Sequence, residues 1–242
     1  MNKKRKLILL SFGHLLIDLT GIYIINFQYN HLGFVNIALY FIIYNVIAFG
    51  IQPVVGYFAD EYVLYKEYIV IGLLFGLVGI LTINLGLLAI FTITIGNALY
   101  HVGGGVLSLD LYPAKAMPAG VFVAPGAIGV FCGYLLSQNE YDLKYLMSIV
   151  IVLMIMILFK FYKKNTLKST INKIPNNLFV IVSLIITVIA VRGFVGSVLV
   201  FEWKDNHLLQ GLLVGTIFFG KFLGGFLGDR FGFKEVGVTG LI

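Results

Sequence analysis

Two pairs of polar residues sit at helical spacing inside otherwise apolar sequence. His14 and Asp18 are four residues apart, and so are Asn97 and His101. In an α-helix this spacing puts both members of a pair on one face. Histidine titrates near neutral pH, so His14 or His101 could carry protons. Arg192 is a third isolated charge within an apolar stretch. Together these five residues could form a polar site for a small solute or a proton. Enzyme chemistry fits less well. His14-Leu-Leu-Ile-Asp18 has one residue too few for an H-x4-D acyltransferase box, and Ser108 lacks a G-x-S-x-G frame. There is no P-loop, so the chain reads as neither an enzyme nor an ATP-driven pump. The single cysteine, Cys132, lies in an apolar run and reads as a small packing residue. It offers neither a disulfide framework nor zinc-ligand spacing. No cofactor and no metal are expected.

The segments that must position these residues follow from where charge is absent. Of the 242 residues 60% are hydrophobic and 12% charged, against roughly 25% charged in soluble domains. Residues 19–59 and 68–109 carry no Asp, Glu, Lys or Arg. Each run is long enough, at about 60 Å as helix, for two crossings of a ~30 Å hydrocarbon layer. The first run is interrupted by Gln28-Tyr29-Asn30-His31 and the second by Asn84-Leu85-Gly86, which read as turns. The runs are apolar on all sides, unlike the alternating strands of a membrane barrel. Helices are predicted at 7–28, 34–58, 68–83, 86–108, 118–138, 143–162, 178–201 and 207–227, with a ninth starting near Val236. The apolar stretch from Leu7 is too long for a signal peptide and has no A-x-A-like cleavage site. The expected fold is an all-α polytopic membrane helix bundle with about eight transmembrane helices.

Basic residues orient this bundle. If the N-terminus is cytoplasmic, the inner segments hold 13 of the 17 Lys and Arg: Lys3, Lys4, Arg5, Lys6, Lys66, Lys115, Lys160, Lys163, Lys164, Lys168, Lys173, Arg230 and Lys234. The outer loops hold Lys144 and Lys204 only. This asymmetry places the N-terminus inside the cell. The net charge of +6 is therefore a topology signal and does not point to a nucleic-acid partner. The lipid bilayer is the expected environment. Lys221, about two turns from the inner end of its helix, reads as a snorkelling lysine.

A glycine–aspartate signature occurs twice. The later copy runs Gly225-Phe-Leu-Gly-Asp229-Arg230-Phe-Gly232-Phe-Lys234, and the earlier Gly56-Tyr-Phe-Ala-Asp60-Glu61-Tyr-Val-Leu-Tyr-Lys66. Their first glycines are 169 residues apart, and each was read as following a helix, the second and the eighth. The later copy resembles the cytoplasmic loop motif G-x-L-A-D-R-x-G-R-K of the major facilitator superfamily, departing at Gly228 and Phe233. The earlier one departs further. Glu61 replaces the arginine, Val63 the second glycine, and the lysine comes one place late. The resemblance implies a six-helix N-terminal half at 1–162, a central cytoplasmic loop at 163–177 and a partial second half at 178–242.

That resemblance implies secondary transport of small molecules by alternating access. Gly56, Asp60, Gly225, Asp229, Arg230, Gly232 and Lys234 would then latch the two halves in one state. Helices one, four and seven would line a central cavity, with Asp18 and Arg192 facing each other across it beside Asn97, His14 and His101. The string Gly96-Asn97-Ala98-Leu99-Tyr100-His101 resembles the G-x-A-L-F-H region of fosmidomycin-resistance-type efflux proteins, which implies efflux, with protons as candidate coupling ion. The arginine that many proton-coupled members carry in this helix is absent. Pro118, Gly120, Pro125, Gly126, Gly129 and Gly133 loosely resemble an antiporter glycine–proline motif, or form a packing helix. The implied location is the cell (inner) membrane. A twelve-helix member would need about four more helices, so the other expectation is a truncated, non-transporting membrane protein.

Overall fold

The structure is a computed structural model, and it describes residues 2–32, 34–138, 143–161 and 206–240, with four isolated residues between 180 and 187. The described residues are helical and contain no strand. In chain order the helices are α1 (Lys3–Leu32), α2 (Phe34–Gly50), α3 (Gln52–Tyr62), α4 (Tyr65–Leu81), α5 (Leu87–Asp110), α6 (Met117–Ser137), α7 (Lys144–Phe161), α8 (His207–Phe231) and α9 (Phe233–Thr239), with a 3-10 turn at Ile83–Leu85. Among the described residues five stretches are long and apolar enough to cross a membrane: Lys3–Gln28, Ile42–Tyr62, Leu87–Asp110, Met117–Ser137 and His207–Phe231. The expectation of a helical membrane bundle holds at that level. The predicted seventh helix at 178–201 and the central loop at 163–177 lie outside the described residues, the four isolated ones apart.

Several boundaries differ from those predicted. α1 continues through Gln28-Tyr29-Asn30-His31 to Leu32, because Gln28 is satisfied without a turn. Its side chain is buried and its Nε2 donates to the carbonyl of Ile83. The predicted helix at 34–58 is broken at Ile51 and resumes as α3 up to Tyr62. Pro53 opens this second segment, where it lacks the N–H that an unbroken helix would use. Gln52 Nε2 donates to the Ala48 carbonyl at 2.9 Å and covers one acceptor at the break. The Asn84–Gly86 turn is present, with Gly86 at φ 53°. Both glycine–aspartate signatures begin inside helices, in the last turns of α3 and α8, and do not follow them as predicted.

Packing joins α1 to α6 and α5, α4 to α5, and α6 to α8. Ile17, Ile24, Leu73, Ile90, Ile93 and Tyr100 are fully buried at the centre. Tyr100 lies against Gly13, where a Cβ would overlap its hydroxyl, and the hydroxyl donates to the Leu10 carbonyl at 2.9 Å. Alternate connections meet at opposite ends of the bundle. At one end Lys3 Nζ lies 5.4 Å from the Tyr112 ring, and Asp229 reaches Ala116. At the other, Gln28 meets Ile83 and the Leu143 N–H approaches the Tyr23 hydroxyl at 3.4 Å.

The two signatures share a backbone feature that their sequences hide. Seven residues after its first glycine, each copy ends its helix with a positive φ: 55° at Val63 and 100° at Gly232. The substitution of valine for the motif's second glycine leaves the left-handed turn in place, with the Leu64 N–H on the Ala59 carbonyl at 3.1 Å. A left-handed L-residue costs about 1–2 kcal/mol, and a β-branched one is an outlier there. Val63→Gly and Val63→Ala lose the same packing, but only glycine relieves the turn. Thermal unfolding in detergent should therefore rank Val63→Gly above Val63→Ala by about 1 kcal/mol. Equal stabilities would rule out the strained turn.

Candidate functional site

Asp18 organises the polar interior. It lies near the middle of α1, with its side chain 13% exposed. Its Oδ1 accepts from Asn97 Nδ2 at 2.8 Å and stands 3.2 Å from His101 Nε2. Its Oδ2 stands 3.2 Å from His14 Nε2. The two i, i+4 pairs noted in the sequence thus converge on a single carboxylate, one from α1 and one from α5. The placement follows from helical register. α5 lies beside α1, and its Asn97 and His101 occupy adjacent turns of the facing side.

His14 is anchored by a group the sequence did not reveal. Its Nδ1 lies 2.7 Å from the backbone carbonyl of Phe122 in α6, and the Phe122 ring stacks on the imidazole at 4.6 Å. A carbonyl can only accept, so Nδ1 carries the proton and Nε2 points at Asp18. Pro125 has no N–H for the Val121 carbonyl four residues earlier, one residue before Phe122. Gly126 completes the fit, because a Cβ there would overlap Asp18 Oδ2 and the His14 ring. Gly129 brings α6 close enough that a Cβ would strike the Leu15 carbonyl. The glycine–proline helix is therefore a packing helix whose close approach also frames the site. His101 meets His14 edge to face at 4.3 Å and Phe49 at 6.3 Å. Tyr44, buried beside Gly21, lies near Asp18 and Asn97. Neither Phe122 nor Tyr44 was predicted. Only Pro125 hinted at an available backbone carbonyl.

The predicted Asp18–Arg192 pair cannot be placed, since Arg192 lies outside the described residues. Lys221 of α8 is exposed.

The signature residues behave differently in the two copies. Asp229 accepts from the backbone N–H groups of Ala116 at 2.6 Å and Met117 at 3.1 Å, at the N-terminus of α6. An anion is favoured there by the unsatisfied N–H groups and the helix dipole. Gly225 permits this, because a Cβ on it would lie 2.9 Å from the Ala116 carbonyl. Gly120 likewise admits the Lys221 carbonyl. Gly232 sits where a Cβ would overlap Glu235. Arg230 lies over Phe231 at 5.1 Å, and Lys234 is exposed. Among the described residues no ion pair to Asp229 is found. In the earlier copy Asp60 accepts from the nearby Tyr65 hydroxyl at 2.8 Å, and Gly56 faces open space. The close approach expected at Gly56 is absent.

No protein-family model, curated protein or solved structure matches the chain.

The asymmetry between the copies is measurable. Asp229→Ala removes charge-assisted bonds that cap α6 from α8 and should cost about 1–2 kcal/mol. Asp60→Ala removes one local hydroxyl contact and should cost about 0.5–1 kcal/mol. Unfolding of both variants in detergent checks the order. Equal losses would contradict it.

Proposed function

We propose that the chain acts as a secondary transporter of small molecules. It would alternate access around a polar site of His14, Asp18, Asn97 and His101. Proton-coupled efflux across the cell (inner) membrane, with a cytoplasmic N-terminus, is the favoured form. The observation that carries this reading is the Asp18 carboxylate. It sits in mid-helix within an apolar bundle, ringed by two histidines and an asparagine. Such a charge costs about 2.5–3.5 kcal/mol to insert, and it characteristically faces a pathway or a partner. Its neighbours can both bind and release protons. The Asp229 cap on α6 adds support, since it ties α8, the second helix after the predicted central loop, to the helix that holds Phe122. Rocking of one half against the other would break and remake such a contact. The resemblance of the two signatures to the major facilitator superfamily points the same way.

The experiment is flux across everted vesicles carrying the chain, driven by an imposed proton gradient, with fosmidomycin as first solute and a panel of small antibacterial solutes behind it. Wild-type vesicles should accumulate at least one solute above empty vesicles, and Asp18→Asn should abolish the excess. Accumulation equal in wild-type, Asp18→Asn and empty vesicles would contradict the proposal. Orientation is tested in the same cells by cysteine labelling. A cysteine at Lys144 should react from outside, and one at Lys115 only after permeabilisation.

A further inference from the structure

We propose that His14, Asp18 and His101 form a binding site for a divalent first-row transition-metal ion, with Asn97 holding the carboxylate. One donor atom from each of the three lies within 4.8 Å of the other two. The two imidazole-to-carboxylate separations are each 3.2 Å. Ligands at ~2.0–2.2 Å from a tetrahedral ion stand about 3.3–3.6 Å apart, and each histidine already stands near that distance from one oxygen of the carboxylate, His14 from Oδ2 and His101 from Oδ1.

Two independent observations distinguish this cluster from an ordinary polar contact. His14 is 2% exposed, and among the described residues its Nε2 faces Asp18 Oδ2 alone, at 3.2 Å and out of hydrogen-bond alignment. Its other nitrogen is fixed on the Phe122 carbonyl, which leaves the Nε2 lone pair directed into the cluster. Metal-bound histidines show this arrangement, with the second nitrogen on a backbone carbonyl or carboxylate. Metal-bound carboxylates are in turn hydrogen-bonded, as Asp18 is by Asn97 Nδ2. The Asn97 Oδ1 also lacks a partner, at 1% exposure. Phe122 and Phe49 give the site an apolar surround.

Two imidazoles and one carboxylate suit zinc, cobalt, nickel, iron or manganese better than calcium or magnesium, which favour oxygen ligands. His101, with its side chain 19% exposed, is the ligand nearest solvent. Spacing along the chain could not show this site, because its donors come from two helices 83 residues apart.

The inference deepens the transport reading by naming a ligand class, but its test requires no transport. Co2+ is titrated into the purified full chain in detergent, and bound metal and visible absorption are recorded. The wild type should bind one Co2+ per chain with ligand-field bands, unaffected by excess Mg2+ and lost on adding Zn2+. His101→Cys should keep the ion and add a thiolate-to-cobalt charge-transfer band that the wild type lacks. His101→Gln and Asp18→Asn should each weaken binding by at least ~10–100-fold. Size-exclusion elution and helical circular dichroism confirm that each variant is folded, and either weakening variant suffices. No stoichiometric Co2+ in the wild type, or identical Co2+ spectra and affinities in wild type and His101 variants, would overturn the proposal. Binding without flux would remove the transport reading alone, and flux without binding would remove this one.

Discussion

The Asp18 carboxylate has to be compensated inside an apolar bundle, and much of the architecture follows from that need. Water is not available at that depth to solvate it, so partners must come from neighbouring helices. His14 comes from the same helix one turn away, and Asn97 and His101 come from α5. Phe122 in α6 then fixes the His14 ring. Three helices thereby present polar groups to one carboxylate. A shift of α5 by one residue would carry Asn97 and His101 off the facing side together.

Polar convergence of this kind requires helices that nearly touch. In a bilayer apolar surface gives little drive for helices to associate, so contact depends on van der Waals packing and small residues. Gly126 and Gly129 supply that closeness between α6 and α1. Gly72 and Gly96 do the same between α4 and α5, where a Cβ on either would lie under 3 Å from the other's carbonyl. In the string from Gly96 to His101 the glycine and the polar residues each make an interhelical contact. Gly96 meets α4, Asn97 and His101 meet Asp18, and Tyr100 ties α5 to the Leu10 carbonyl. The glycine–aspartate copy at Gly225 obeys the same rule, since its glycine lets Asp229 reach the start of α6.

Much of this was legible in the residues. Charge-free runs revealed apolar helices because a bilayer excludes charge, and the i, i+4 pairs revealed which faces meet. The convergence of both pairs on Asp18 was not legible, because it depends on how α1 and α5 are rotated against each other. Phe122 was hidden for another reason. Its contribution is a backbone carbonyl, which every residue has, and only Pro125 marks the place. Val63 misled in the opposite direction. It reads as the loss of a motif glycine, yet the chain still turns left-handed there. Gly56 keeps the motif residue but has no neighbour to approach. Helix ends were misjudged where a side chain satisfied a polar group, as Gln28 does on the Ile83 carbonyl.

The central claim is that the Asp18 cluster is arranged to bind something, and not to hold the bundle together. Groups kept for binding are preorganised at a cost in stability, and their removal leaves the fold intact or firmer. Groups kept for structure behave otherwise, and breaking a buried ion pair costs about 3–5 kcal/mol. Asp18→Asn preserves the shape of the side chain and removes its charge. The most direct measurement is therefore the unfolding free energy of wild type and Asp18→Asn in the same detergent, without added ligand. A variant as stable as the wild type, or more so, is the predicted result. A loss of about 3 kcal/mol or more would show that the cluster is a structural pair.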